Sequence, residues 1–180
     1  MGKKFASIDV EQRTFIENQH IFFVGTAACE GRVNVSPKGT DSLKVITENK
    51  VIWLNLTGSG NETAAHLLKN ARMTLMFCAF DGKPKILRLY GNAKIYHKRD
   101  EAFQVYSELF PKNAGARQII EMDVDLVQVS CGFAVPLMDY KEERNTLNVW
   151  AENQGEEKIK EYWKHKNTQS IDGFETNILN

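Results

Sequence analysis

The stretch Val51 to Phe80, VIWLNLTGSGNETAAHLLKNARMTLMFCAF, constrains the chain most, because it passes from an apolar strand through a glycine turn into a helix start and returns as a second apolar strand. Val51 to Leu56 is rich in β-branched and aromatic residues, as a buried strand is. Gly58 and Gly60 permit a sharp turn and a close approach to the backbone. Ala64 to Asn70 reads as a short helix with Ala65, Leu67 and Leu68 apolar, and Met73 to Phe80 reads as the returning strand. The turn has two readings. It can be a plain connection in which Asn61 caps the helix, or it can hold a phosphate on the unpaired first amides of the helix, helped by the macrodipole and by Asn61 and Thr63 as donors.

The remaining chain repeats short strands between turn signals. Asp9 and Gln12 form a capping pair that predicts a helix from Val10 to Asn18, and Ile21 to Val24 follows as a strand. Glu30-Gly31 turns the chain into Arg32 to Ser36, which alternates polar and apolar residues until Pro37 and Gly39, so a hairpin is expected. Val45-Ile46 and Val51 to Leu56 make a second hairpin around residues 47–50. Asp81-Gly82-Lys83-Pro84 is a turn, and Ile86 to Tyr96 is a long strand whose Gly91 marks either a bulge or a close approach to a ligand. Asp100 to Phe110 carries one apolar helical stripe that should pack over the sheet, and Ile119 to Val129 alternates at period two. Glu156 to Lys166 reads as a charged helix with Ile159, Tyr162 and Trp163 on one side, docked on the barrel or across a dimer. About six strands with few helices favour a mainly β fold with peripheral helices, an antiparallel barrel that is closed or split, over a parallel α/β sheet.

Composition narrows the function. With 180 residues, 42% hydrophobic and 26% charged, the chain fits a single domain over residues 1–180, with a C-terminal helical tail from about residue 140. Lysine plus arginine equals aspartate plus glutamate at 23 each, so no overall field favours nucleic acid or an anionic membrane, and a small-molecule ligand is expected. No apolar run is long enough to span a bilayer, and the start MGKKFASIDVEQ lacks the apolar segment of a signal peptide, so a soluble, cytoplasmic protein is expected. Cys29, Cys78 and Cys131 are scattered and read as small buried hydrophobes rather than a disulfide framework. His20, His66, His97 and His165 show no spacing that would place two ligands on one metal, so no metal is expected. His66 reads as a residue that packs or caps.

Protein-borne catalysts are missing. There is no GxSxG elbow, and no cysteine and histidine stand in a known catalytic spacing. Thr63 stands where a dinucleotide fingerprint would place its last glycine, and the turn lacks the GK[ST] of a nucleotide P-loop. A mononucleotide phosphate remains compatible with the turn, and a cofactor would supply the missing chemistry.

The succession RVNVSPKG (Arg32 to Gly39), WLNLTGSGNETAAHL (Trp53 to Leu67), Arg72 to Phe80 and ILRLYGNAKI (Ile86 to Ile95) resembles the pyridoxamine 5'-phosphate oxidase-like FMN-binding split-barrel family over roughly Phe15 to Val135. The ending Ser130 to Ala151, SCGFAVPLMDYKEERNTLNVWA, resembles one subgroup of it. The resemblance implies a six-stranded antiparallel split β-barrel, a homodimer with FMN in a groove contacted by both chains, and flavin redox chemistry on an unidentified small molecule. It also admits a non-catalytic flavin-binding stress or sensor protein. Carried onto this chain, it implies that Ser36, Pro37, Lys38 and Gly39 line the flavin, with Lys38 offering positive charge to the phosphate or ring edge. Ser59, Gly60, Asn61, Glu62 and Thr63 would form the phosphate and ribityl turn, and Arg88 would face the ligand from the next barrel strand. The chain departs from the authentic oxidase in placing Asn61-Glu62-Thr63 about where an Arg-Lys pair meets phosphate. The basic C-terminal residues that help that oxidase hold its substrate have no counterpart in Ser170 to Asn180, so pyridoxamine phosphate oxidation does not follow.

Overall fold

A computed structural model describes residues 2–180. The described strands are β1 (Lys3–Phe5), β2 (Phe22–Thr26), β3 (Asn34–Lys38), β4 (Leu43–Thr47), β5 (Lys50–Leu56), β6 (Arg72–Cys78), β7 (Ile86–His97) and β8 (Ala116–Ser130). Four helices lie outside them: α1 (Val10–Glu17), α2 (Glu62–Lys69), α3 (Glu101–Ser107) and α4 (Thr146–Lys166). All strand pairs are antiparallel in the order β3-β2-β6-β7-β8-β5-β4, with β1 added to β8 beside β5. The mainly β class follows, with eight strands rather than about six. β1 is three residues long and carries no usable alternation, so it escaped the sequence pattern.

The two longest strands organise the sheet. β8 pairs with β7 along most of its length on one side, and on the other side with β5 and then β1. The terminal strands β3 and β4 are not paired with each other. The sheet nonetheless curls far enough for Lys38 on β3 to stand 5.0 Å from the ring of Trp53 on β5. The barrel is therefore split, with an open seam between β3 and the β5–β4 side.

Inward alternation fills the interior. Met73, Leu75 and Phe77 of β6, Leu87 and Leu89 of β7, and Val51 and Trp53 of β5 belong to one buried cluster. β5 is buried on both faces: its alternate residues Ile52 and Leu54 pack with Phe103, Phe110 and Ile119, which docks α3 outside the barrel. α1 begins with the expected capping box, Gln12 N–H donating to Asp9 Oδ1 at 2.7 Å and Asp9 N–H donating to Gln12 Oε1 at 3.1 Å, and it buries Ile16 against the barrel. The predicted helix Glu156 to Lys166 is the second half of α4. Gly155, at φ +71°, interrupts the element and separates that half from 146–154, which sequence periodicity did not reveal. Ala151, Ile159, Trp163 and Ile178 form a separate cluster under this tail. Cys78 is buried as expected, whereas Cys29 and Cys131 are exposed, because their segments lie at the ends of strands rather than in the core.

Gly91 is explained by the sheet itself. The β7–β8 register shifts after Tyr90, leaving Asp125 as the extra residue of a bulge, and a Cβ on Gly91 would stand 1.9 Å from the Asp123 carbonyl oxygen. The close approach is to backbone, not to a ligand. Replacing Gly91 with alanine is expected to destabilise the protein by about 2–3 kcal/mol through forced displacement of β8, measured as a lower denaturant midpoint than wild type.

Candidate functional site: a cavity at the open seam

A cavity of about 270 Å³ lies at the seam, bounded by β3, β5 and the turn into α2. Strand alternation decides which β3 residues reach it. Asn34, Ser36 and Lys38 line the cavity, while Val35 and Pro37 point outward and are exposed. Ser36 and Lys38 are therefore brought to the site, Pro37 is not, and Gly39 follows the strand end outside the lining. On the facing side the lining comprises Trp53, Asn55 and Leu56 of β5, the first two on one strand face. Ser59, Gly60, Asn61, Glu62 and Thr63 all line the turn side, together with Gly58. Arg88 is placed elsewhere. It stands on the other face of β7 from the buried Leu87 and Leu89, and its Nη1 donates to Ser130 Oγ at 3.3 Å.

The turn residues are held differently from a simple cap. Asn61 occupies the N-cap position of α2 but makes no capping bond; its Nδ2 donates to the Asn167 carbonyl at 3.2 Å. Thr63 is buried, and its hydroxyl accepts a long bond from Asn34 Nδ2 at 3.4 Å, which ties β3 to the helix start. His66, one turn along α2, is fully buried with Nδ1 3.1 Å from the Thr26 hydroxyl, so it packs as expected. The Glu62 carboxylate accepts from the Ile171 backbone N–H through both oxygens, at 3.0 and 3.2 Å. Its charge is thus engaged by the C-terminal segment.

The decisive residue was not nominated from the sequence. Asn55 pairs with Gln118 and Leu56 with Ala116, so Arg117 is the extra residue of a β-bulge. Such bulges re-aim side chains. Arg117 is only 4% exposed and lines the cavity, with Nη1 donating to the Gly60 carbonyl at 2.9 Å and to Asn167 Oδ1 at 2.8 Å. Its Nε is buried without a partner. Nothing in ARQII distinguishes this arginine from a charged residue at an ordinary strand start; only the register does.

Lys38 and Arg117 give the cavity its character. Burial, reinforced by the charge of Arg117, lowers the Lys38 ammonium to about 8. Burial likewise lowers Arg117 to about 9, so both are cations at neutral pH. Among the described residues neither has a carboxylate within salt-bridge distance. Two desolvated cations without a counter-ion disfavour their own charged states and are relieved by an anion. A larger concavity of about 1190 Å³, between α1 and the 140–148 segment, is lined by charges of both signs, including Glu11, Asp41, Glu143, Lys83 and Arg144. It lacks this one-signed character.

Comparison with known proteins accords with this architecture. The family model for pyridoxamine 5'-phosphate oxidase matches residues 8–131. The chain belongs to the pyridoxamine 5'-phosphate oxidase family. A family member from Aspergillus flavus, the pyridoxamine 5'-phosphate oxidase family protein ustO, is 36% identical over 94% of this chain and 76% of its own length. Among solved structures, HupZ of Group A Streptococcus superposes with a TM-score of 0.53 at 20% identity, covering 66% of this chain and 91% of that one. A Lactobacillus delbrueckii protein provisionally described as a pyridoxamine 5'-phosphate oxidase gives 0.54 at 16% identity, covering 68% and 94%. These two share the fold.

The depressed Lys38 sets a pH dependence of the ligand-free protein. An unfolded lysine keeps its proton to about 10.5, whereas the folded one releases it near 8. Between those values the unfolded state binds more protons, so stability rises with pH. Lys38→Met is expected to be more stable than wild type below pH 8, with the advantage shrinking by at most about 3 kcal/mol as pH rises toward 10.5, as read from denaturant unfolding of both proteins across that range.

Proposed function

We infer that this protein binds FMN at the seam cavity and is an FMN-dependent oxidoreductase acting on a small molecule. The observation that carries this reading is the pair of carboxylate-free cations, the buried Arg117 and the half-buried Lys38, beside a glycine turn in a chain of this family. The residues suit a flavin mononucleotide. Arg117 and the Ser59 to Thr63 turn offer guanidinium, hydroxyl and amide donors to a phosphate. The unpartnered Arg117 Nε supplies a donor that the fold itself does not satisfy. Ser36, Asn34 and Asn55 offer neutral hydrogen-bonding groups along the walls, and Lys38 places positive charge where a reduced, electron-rich flavin edge would be stabilised. At about 270 Å³ the cavity lies near the lower limit for small-molecule sites, so it encloses part of the cofactor and leaves the rest to the open seam.

FMN, when bound, supplies hydride and electron transfer; the chain contributes binding, orientation and charge. A two-chain assembly that completes the groove is part of the same reading. It is supported by apolar side chains left in solvent on the segment after β8, Phe133 at 83% and Leu137 at 78% exposure, and by Val33 and Val35 beside the seam. Arg88, on the outer sheet face, would then serve an interface rather than its own chain's cavity. No helix among the described residues is long and apolar enough to cross a membrane.

Purified protein titrated with FMN is expected to quench flavin fluorescence with a saturable isotherm. Arg117→Ala and Lys38→Met should each weaken binding about ten-fold or more, the usual effect of removing a charge-assisted contact. Affinity of the wild type should fall as pH rises through about 8, and that fall should vanish in Lys38→Met. Reduction of the bound flavin by a nicotinamide donor separates turnover from simple binding.

A further inference from the structure

The cavity's turn is held from outside the barrel. The loop that follows α4 lies against the turn, and its Asn167 is fully buried. The Asn167 side chain does two things at once. Oδ1 accepts from Arg117 Nη1 at 2.8 Å, and Nδ2 donates to the Gly58 carbonyl at 2.9 Å. Its backbone carbonyl accepts from Asn61 Nδ2 at 3.2 Å and from the Thr176 hydroxyl at 2.6 Å. Four residues on, the Ile171 amide engages the Glu62 carboxylate. Asp172 then pairs with Arg32, its carboxylate accepting from the Arg32 backbone N–H at 2.7 Å. Upstream, Trp163 Nε1 donates to the Thr57 hydroxyl at 2.9 Å, where the turn leaves β5.

We propose that the C-terminal segment 167–172 is a clamp that sets the charge of the cavity, with Asn167 as the positioning residue that presents Arg117 as an uncompensated cation to a phosphate monoester. The chemistry of the amide is the argument. A carboxamide oxygen orients a guanidinium without neutralising it, and its NH₂ simultaneously satisfies a turn carbonyl, which no carboxylate can do. An aspartate of the same shape would instead form an ion pair with Arg117, cancelling the charge that the ligand needs. The clamp also accounts for the carboxylate of Glu62. With both oxygens held by the Ile171 amide, it is kept on the C-terminal side of the turn, so an acidic residue is tolerated in the turn that lines an anion site.

This inference rests on the reading of the cavity as a phosphate-bearing cofactor site, and the test separates the two. Full-length wild type, Asn167→Asp and Asn167→Ala are titrated with FMN and with riboflavin, which lacks the phosphate, and the melting temperature of each is followed with inorganic phosphate. The wild type is expected to prefer FMN over riboflavin by at least ten-fold and to be stabilised by phosphate. Asn167→Asp should collapse that preference to within about three-fold, leave riboflavin affinity unchanged and abolish the phosphate stabilisation. Asn167→Ala, which frees Arg117 without adding charge, should lose part of the preference, and it carries the comparison if Asn167→Asp does not fold. A preference that survives in the variants, or FMN and riboflavin weakened equally, overturns the clamp while leaving the flavin reading intact. Wild type that ignores both flavins yet gains stability from phosphate, with the gain lost in Asn167→Asp, upholds the clamp and removes the flavin. Wild type indifferent to all three ligands overturns both.

Discussion

The site depends on a sheet that curls into a barrel without closing. Hydrogen bonding runs from β3 to β4 through β8, but the two terminal strands do not meet, and the seam between them is bridged by side chains. The contact of Lys38 with the Trp53 ring spans that opening. A closed ladder would have used the β3 edge for backbone pairing and filled the interior with apolar side chains. Leaving it open gives one row of β3 side chains, Asn34, Ser36 and Lys38, an interior that is polar on one side and walled by the core on the other. The large cluster of buried aliphatic and aromatic residues beneath supplies the rigidity that keeps two like charges in place.

Much of this was legible in the sequence, for local reasons. Helix α1 announced itself through Asp9 and Gln12, whose reciprocal bonds form as their spacing requires. The hairpins β2–β3 and β4–β5 followed from alternation and turn residues. Ser36 and Lys38 of SPKG met the residues of GSGNET in one cavity because the first pair lies on one face of a strand and the second set on the turn into a helix that packs against the barrel. What a linear reading could not supply was face and register. Pro37 and Lys38 are neighbours in sequence but point to opposite sides of β3. Arg88 sits in a strand expected to face the ligand, yet the pleat sends it outward with Tyr90.

Arg117 and Asn167 escaped for a related reason. A bulge is a property of two strands, visible only when Asn55 and Leu56 are seen opposite Gln118 and Ala116. Asn167 acts at a distance of about a hundred residues from the turn it holds, and asparagine after a helix is ordinarily read as a terminator. Of the two readings of the turn, the one in which Asn61 caps α2 is excluded by the same contact, since its side chain donates to the Asn167 carbonyl and makes no capping bond.

The break at Gly155 takes on meaning in this light. A continuous helix through 146–166 would carry residues 167–172 along one straight axis, whereas the glycine, at φ +71°, changes direction midway and lets the second half of α4 lie back toward the barrel. The long separation between the clamp and the turn makes the order of assembly asymmetric. The barrel strands can pair once residues up to about 130 are available, but the guanidinium of Arg117 is fastened only after a chain excursion of 50 residues has been closed, at an entropic cost that grows slowly with loop length. Pairing the barrel strands and fastening Arg117 are therefore separate closures: the first needs the chain only as far as Ser130, the second needs it through Asn167.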